Sequence, residues 1–385
     1  MSKRKPDEAA VAGRDRRPSS RPKASRYRRA LAVAALGITL GFLGALTALR
    51  GQIESIATPP PHYIWVSHGR LEGHLALNYS PAAAFSPDSS TLAVAIEDKI
   101  ALVDLATTSI RKLLRPRVEG VSELQFQSAN YVAPNRLFIL GSGLFRAKGR
   151  GSGGPTPTLA FQWDIDQDAL FGKVNVVGAG GGYGPPRYFP QIAYLSFYKQ
   201  SNFDLWHPVT GRGGRVSIPS LTRQPNLFEF SPDGHWLLLA QIEASSTADP
   251  VVVELQQHQF VESLRGHQGT VLAMAFSRDS KRVLTACEDG KVRIWSVPDW
   301  KLLQTLTGHQ GPVHWAEFSA DGNWVVSGSE DQRVRIWSSE DGSLVQTLAE
   351  SREPIRSVAF SPNGEYVAAS TEQVVLVWQR TVSGQ

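Results

Sequence analysis

Residues 273–309, AMAFSRDSKRVLTACEDGKVRIWSVPDWKLLQTLTGH, lie over residues 316–351, AEFSADGNWVVSGSEDQRVRIWSSEDGSLVQTLAES, almost without gaps. Phe276, Phe318 and Phe360 follow one another at intervals of 42, as do Trp295 and Trp337, and Trp378 comes 41 later. Self-similarity at about 40–45 residues marks a repeat built from four short strands. Apolar and polar residues alternate within each unit, as in Val292-Arg293-Ile294-Trp295 and Val334-Arg335-Ile336-Trp337. That period of two predicts strands with one face buried. A turn of the Ser-Pro-Asp-Gly kind recurs between the first two strands. It stands at Ser86-Pro87-Asp88, Ser231-Pro232-Asp233-Gly234, Ser277-Arg278-Asp279, Ser319-Ala320-Asp321-Gly322 and Ser361-Pro362-Asn363-Gly364. An Asp or Asn side chain holds the turn backbone and Gly accepts a positive φ, so each is expected to close a hairpin.

Five turns mark five units, and two degenerate ones lie between them. One begins at Leu124-Gln125-Phe126 and ends in FQWDIDQDALFGKV (161–174), with a Gly-rich insertion near 141–158. The other runs from Ile192 to Val216 and closes with FDLWHPVTGRGGRV. The units then begin near residues 77, 120, 185, 224, 266, 308 and 350. The last stops just after Trp378, before a fourth strand, so the segment at about 63–75 is expected to supply that strand. A ring closed in this way leaves no unit unjoined.

The repeats resemble the WD-repeat (WD40) β-propeller family. The Trp-Asp pair of that family occurs only as Trp163-Asp164, and Trp-Ser stands instead at 295–296 and 337–338. The resemblance implies an all-β, seven-bladed β-propeller of four-stranded blades over 63–382. It also implies buried structural tetrads, His267, Thr285, Asp289 and Trp295 in one blade and His309, Ser327, Asp331 and Trp337 in the next. The steps from His are 18, 22 and 28 in both. A His-Ser-Asp set invites comparison with a catalytic triad, but a repeated set ending in a Trp donor is a device of the fold. The last blade departs, with Ser351, Ala369 and Gln373 in the His, Ser and Asp places. Family members bind partners through residues beside the first strand and just before the tetrad Asp. Those positions are Tyr79, Thr270, Leu272, Glu288, Pro312, His314, Glu330 and Arg356; they can equally be a solvated rim.

Charge divides the chain. Residues 1–50 hold 12 Lys/Arg against 3 Asp/Glu, whereas the other 335 hold 28 against 32. The overall charge of +5 therefore says nothing about the folded part, and no nucleic-acid partner is expected. Residues 1–29 are too polar to fold and read as a basic cytoplasmic tail. Residues 30–49, ALAVAALGITLGFLGALTAL, carry no charge and match a single transmembrane α-helix. A cleaved secretion signal competes with this anchor, and Ala45 to Ala48 offer a poor cleavage site for one. Arg26, Arg28 and Arg29 precede the run and only Arg50 follows it. The expected location is thus a single-pass membrane protein, N-terminus cytoplasmic and propeller on the non-cytoplasmic side, periplasmic or extracellular in a bacterium. Gly37, Gly41 and Ala45 offer a small-residue face for weak self-association. The stretch 50–62, with Pro59 to Pro61, is a semi-rigid linker.

Motifs that carry chemistry are wanting. Cys287 is the one cysteine, which excludes an internal disulfide and a thiolate zinc cluster. Asp164, Asp166 and Asp168 alternate as in a calcium loop, but Ala169 and Asn175 stand where Gly and an acid are needed. GAGGGYGPP (178–186) lacks the Lys and Ser/Thr of a phosphate cradle. No catalytic residue, metal or cofactor is assigned. The function expected is a non-enzymatic scaffold for protein partners. The alternative is a ligand-sensing or enzymatic propeller using its central channel or the irregular 141–190 region.

Overall fold

The computed structural model describes residues 63–72, 83–145, 158–177, 187–189, 194–199, 202–206, 213–217, 225, 227–240, 249–349 and 351–382. Among these residues the strands form seven four-stranded antiparallel sheets. Six follow chain order, over 83–114, 121–177, 187–217, 227–263, 271–306 and 313–349. The seventh adds Tyr63–Glu72 to Ser357–Phe360, Tyr366–Ser370 and Val374–Val382. This all-β architecture is consistent with a WD-repeat propeller.

The five hairpin turns share one geometry. The Ser hydroxyl donates to the acid or amide two residues on, at 2.5 Å for Ser86, Ser231 and Ser319 and 2.7 Å for Ser277 and Ser361. The same hydroxyl accepts the backbone N–H five residues on, at 2.9–3.0 Å. Gly234, Gly322 and Gly364 take the positive φ, but in the first and fifth sheets Ser89 and Ser280 take it, both at 59°. An L-residue pays a steric cost there, and the side-chain clamp of Asp88 or Asp279 holds the turn against it.

Alternation along the strands places apolar residues between neighbouring sheets. Ile100 and Leu102 pack against Phe126, Leu137 and Phe161, and Phe203 meets Phe228 edge-on at 5.0 Å. Leu238 and Val252 meet Met274 and Val283, while Leu284 and Ile294 meet Ala316 and Val325. Val326 and Ile336 meet Val358 and Val367. Last, Tyr366 and Val377 of the seventh sheet pack on Leu92 and Val94 of the first.

Tyr63–Glu72 runs antiparallel to Val374–Val382, Tyr63 opposite Val382 and Glu72 opposite Val374, in the place expected for the closing strand. Trp65 is buried on this strand and packs against Phe360, with ring centroids 5.7 Å apart. Its backbone N–H donates to Gln346 Oε1 (2.8 Å), and its carbonyl accepts from Gln346 Nε2 (2.9 Å). One side chain thereby ties the closing strand to the outer strand of the sixth sheet.

The membrane location expected from the sequence is corrected. No helix among the described residues is long and apolar enough to cross a membrane. The tail at 1–29, the apolar run at 30–49 with Gly37, Gly41 and Ala45, and the linker at 50–62 lie outside the described residues. Twenty uncharged, mostly apolar residues meet the length requirement for a span, and that requirement alone does not make one.

Trp65→Ala is expected to cost about 3–5 kcal/mol, because it empties a buried site at the strand that closes the seventh sheet. Equilibrium urea unfolding measures this, and a midpoint equal to the parent's would show that the strand carries no stability.

Candidate functional site

The sixth sheet holds a continuous buried polar line. Trp337 Nε1–H donates to Ser327 Oγ at 2.8 Å, and Ser327 lies 2.8 Å from His309 Nε2. His309 Nδ1 lies 2.9 Å from Asp331 Oδ2, which also accepts from Arg335 at 2.7 Å. With the proton on Nδ1, every link has one donor: Trp337 to Ser327, Ser327 to His309, His309 to Asp331. Burial pushes His309 down to about 4 despite the opposing carboxylate. Burial also raises Asp331, but the hydrogen bonds from Arg335 and His309 outweigh it and hold the acid at about 2. The distances are those of a catalytic triad. Ser327 is 0% exposed, however, and its oxygen already accepts from the indole, so this hydroxyl cannot reach a substrate.

The fifth sheet builds the line differently. Trp295 Nε1 donates to Thr285 Oγ1 (3.2 Å) and His267 Nε2 meets the same hydroxyl (2.8 Å). The Nδ1 partner is Asp249, at 2.9 Å, which also accepts the backbone N–H groups of Gly266 and His267. Asp289, in the place the spacing assigns to this role, instead pairs with Arg293 at 2.7 Å, and both side chains are almost fully buried. Asp289 thus leaves the expected chain and an acid ahead of the third strand of the preceding sheet takes its part. Nothing in the repeat spacing points to Asp249, which stands 18 residues before His267.

The other sheets carry fragments of this arrangement. Trp163 Nε1 donates to Asp168 Oδ1 (3.0 Å), while Asp164 accepts the backbone N–H groups of Asp166 and Gln167. The three alternating acids therefore serve a turn. Among the described residues no three His, Cys, Asp or Glu side chains gather as a metal site requires. Cys287 is buried, and burial pushes its thiol up to about 11. Residues 146–157 and 178–186, much of the irregular region, lie outside the described residues.

Several candidate partner-binding residues come together at the sixth and seventh sheets. His314 Nε2 lies 2.6 Å from Glu330 Oε2, and Arg356 donates to the same oxygen at 3.0 Å. Arg356 also donates to Glu372 at 3.1 Å. The bond from His314 is the main reason that Glu330 is held below the usual carboxylate range, with Arg356 adding to it. Glu372 was not singled out by the sequence, although it precedes Gln373 as Glu330 precedes Asp331. Pro312 joins through its carbonyl, which accepts the Glu330 N–H at 2.9 Å. In the fifth sheet Thr270 and Glu288 form a separate pair, Thr270 N–H donating to Glu288 Oε2 at 2.9 Å. Leu272 is partly buried on the inner strand Val271–Phe276. Tyr79 lies outside the described residues.

The WD domain, G-beta repeat family (WD40) matches residues 258–296, 300–338 and 342–379. Each window begins near the outer strand of one sheet and continues through the first three strands of the next. Protein HIR1 of Mycosarcoma maydis is 28% identical over 245 residues, 62% of this chain and 20% of that protein. U3 small nucleolar RNA-associated protein 18 homolog of Mus musculus is 34% identical over 76 residues, 20% of this chain and 13% of that protein. WD repeat-containing protein 36 of Homo sapiens is 30% identical over 109 residues, 28% of this chain and 11% of that protein. The chain thus matches 20% or less of the length of these relatives. The repeats and the relatives support the WD-repeat family. One relative's name refers to a small nucleolar RNA, and with the finding on helices this overturns the non-cytoplasmic membrane location.

Two outcomes are expected. Asp249→Ala should cost about 1–3 kcal/mol in urea unfolding by stranding the buried His267 N–H; an unchanged midpoint would remove Asp249 from the line. A histidine depressed from about 6.5 binds fewer protons folded than unfolded, so its contribution is complete above that pH and drains away as pH falls toward 4. The stability gap between the parent and His309→Gln should accordingly narrow by about 2 kcal/mol between pH 7 and 4.5. A constant gap would mean that folded His309 titrates normally.

Proposed function

We propose that the chain is a non-enzymatic protein-interaction scaffold, a seven-bladed WD-repeat propeller over 63–382 that presents its tetrad-end loops to protein partners. The observation that carries this reading is the network of His314, Glu330, Arg356 and Glu372, which bridges two sheets with ordered, accessible charges. The tetrads, by contrast, spend their chemistry inside the sheets, where His267 and His309 hold neighbouring strands together. Glu330 is 45% exposed and Arg356 31%, so their pairing adds little to the fold, about 0–1 kcal/mol. Ordered charge that contributes little to stability suits recognition, where it sets partner choice and orientation. Thr270, Leu272, Glu288 and Pro312 extend the same face.

Crosslinking of the full chain in its native cells, with the linked positions mapped, tests this. Links should concentrate at 270–272, 288, 312–314, 330 and 356. Glu330→Arg should abolish capture of the linked protein while shifting stability by no more than about 1 kcal/mol. Capture that survives this reversal would place the binding surface elsewhere.

A further inference from the structure

The seventh sheet keeps the tetrad Trp and drops the polar side chains that accompany it in the fifth and sixth. Register sets Ala369 opposite Leu376, as it sets Ser327 opposite Arg335 and Thr285 opposite Arg293. Ser351 stands in the His place, Gln373 in the Asp place and Leu376 in the Arg place. These replacements are smaller or uncharged, and all three line one cavity of about 210 Å³. A single water takes a share of about 30 Å³ in the liquid, so the space admits an organic group.

Two polar groups of the cavity wall have one need each. Glu353 Oε2 is enclosed and has no hydrogen-bond partner among the described residues, so it needs a donor. Ser351 Oγ fixes the Glu353 backbone at the wall, donating to its carbonyl (2.6 Å) and accepting its N–H (3.0 Å). Thr371 is 1% exposed, and its Oγ1 accepts the N–H groups of Gln373 (3.1 Å) and Val374 (3.0 Å). With both lone pairs taken, this hydroxyl can only donate. No acceptor for its proton stands among the described residues. Val374 and Leu376, both buried, give the cavity an apolar side. Arg70 also lines it but is already engaged within the chain, so no part falls to it.

We propose that this cavity is a slot for one glutamine side chain of a protein partner. That the side chain comes from a protein rests on the reading of the tetrad-end loops as a partner face. A primary carboxamide carries N–H donors and a carbonyl acceptor on one carbon. Its nitrogen answers Glu353 Oε2 with a charge-assisted bond, and its oxygen answers the Thr371 hydroxyl. Charged side chains satisfy only half of this wall. A lysine ammonium is all donor and confronts the Thr371 proton, while a carboxylate is all acceptor and confronts Glu353. The two methylenes of glutamine lie along Val374 and Leu376, where leaving water is favourable. The blade that lost its internal network thereby gains a place for an external group at the same position.

Saturation-transfer difference NMR on the full chain, with the peptide acetyl-Gly-Gln-Gly-methylamide as probe, tests the slot. The glutamine methylenes should receive saturation. Peptides with glutamate or lysine in the central place should bind about tenfold more weakly. Thr371→Val removes the hydroxyl and should close the gap between the glutamine and lysine peptides. Glu353→Met keeps a side chain of similar length without its oxygens and should weaken glutamine binding about tenfold. It keeps the test decisive if the Thr371 variant fails to fold. No saturation in the parent, equal binding of the three peptides, or undiminished binding by Glu353→Met would each overturn the proposal. An absent peptide signal, in a chain whose partner capture is lost with Glu330→Arg, sinks this inference alone. Saturation in a chain whose capture survives that reversal sinks only the loop-face reading.

Discussion

The pairing of Tyr63–Glu72 with Val374–Val382 is the constraint on which the rest of the fold depends. In the other six sheets every strand pairs with its neighbour in sequence, so each can form from local hairpins. The outer strands of the fourth and fifth sheets, Gln259–Ser263 and Leu302–Leu306, are mostly exposed. Val374–Val382 is of another kind. Val374 through Trp378 are all buried, and left uncovered they would form an apolar edge of the sort that pairs with other chains. The covering strand is more than 300 residues away in sequence, so the entropic cost of closing that loop precedes any reward from the contact. Gln346 reduces the problem by gripping both backbone polar groups of Trp65 from the sixth sheet.

Stability along the chain is uneven for a related reason. The fifth and sixth sheets couple their strands twice, through backbone ladders and through a buried polar line ending on an indole. Such a line is worth having only when every member has a partner, since an unpaired buried donor costs more than the bond returns. The two sheets meet this requirement with different acids, Asp249 in one and Asp331 in the other. In the fifth sheet Asp289 is taken up by Arg293 and the backbone N–H groups of Gln268 and Lys291, and Asp249 supplies the acceptor for His267. The seventh sheet avoids the requirement by dropping the polar members and relies on Trp65, Phe360 and Trp378.

Much of this was legible in the sequence because it repeats. Phe276, Phe318 and Phe360 each sit at the end of an inner strand, and the five Ser-x-Asp/Asn turns take one shape. Periodicity reports what each unit does for itself. It is silent on what one unit does for the next, and the misses fall there. Asp249 serves a histidine beyond its own sheet, from a loop whose position no repeat fixes. Glu317, where Ala275 and Ala359 stand in neighbouring sheets, accepts the Phe360 N–H of the seventh sheet at 2.5 Å, and burial pushes its carboxyl up to about 8. The membrane location failed for a different reason. It was drawn from hydropathy in 30–49 and charge around it, with no internal repetition to check it against.

The loop face can be argued from the same contrast between buried and exposed polar groups. Asp331 and Glu330 are adjacent in sequence and hold opposite kinds of interaction. Asp331 is 6% exposed, and its pairs with Arg335 and His309 are shielded from salt. Glu330 is 45% exposed, and its pairs with His314 and Arg356 are weakened by water and ions. A partner that covered Glu330 would remove that water and strengthen the same contacts without moving them. The side chains are already held by one another, so less conformational freedom is lost on binding than at a loose surface. One turn of the repeat thereby places a buried structural acid and an exposed acid side by side, and under the reading proposed for the loop face their depth below the surface separates their roles.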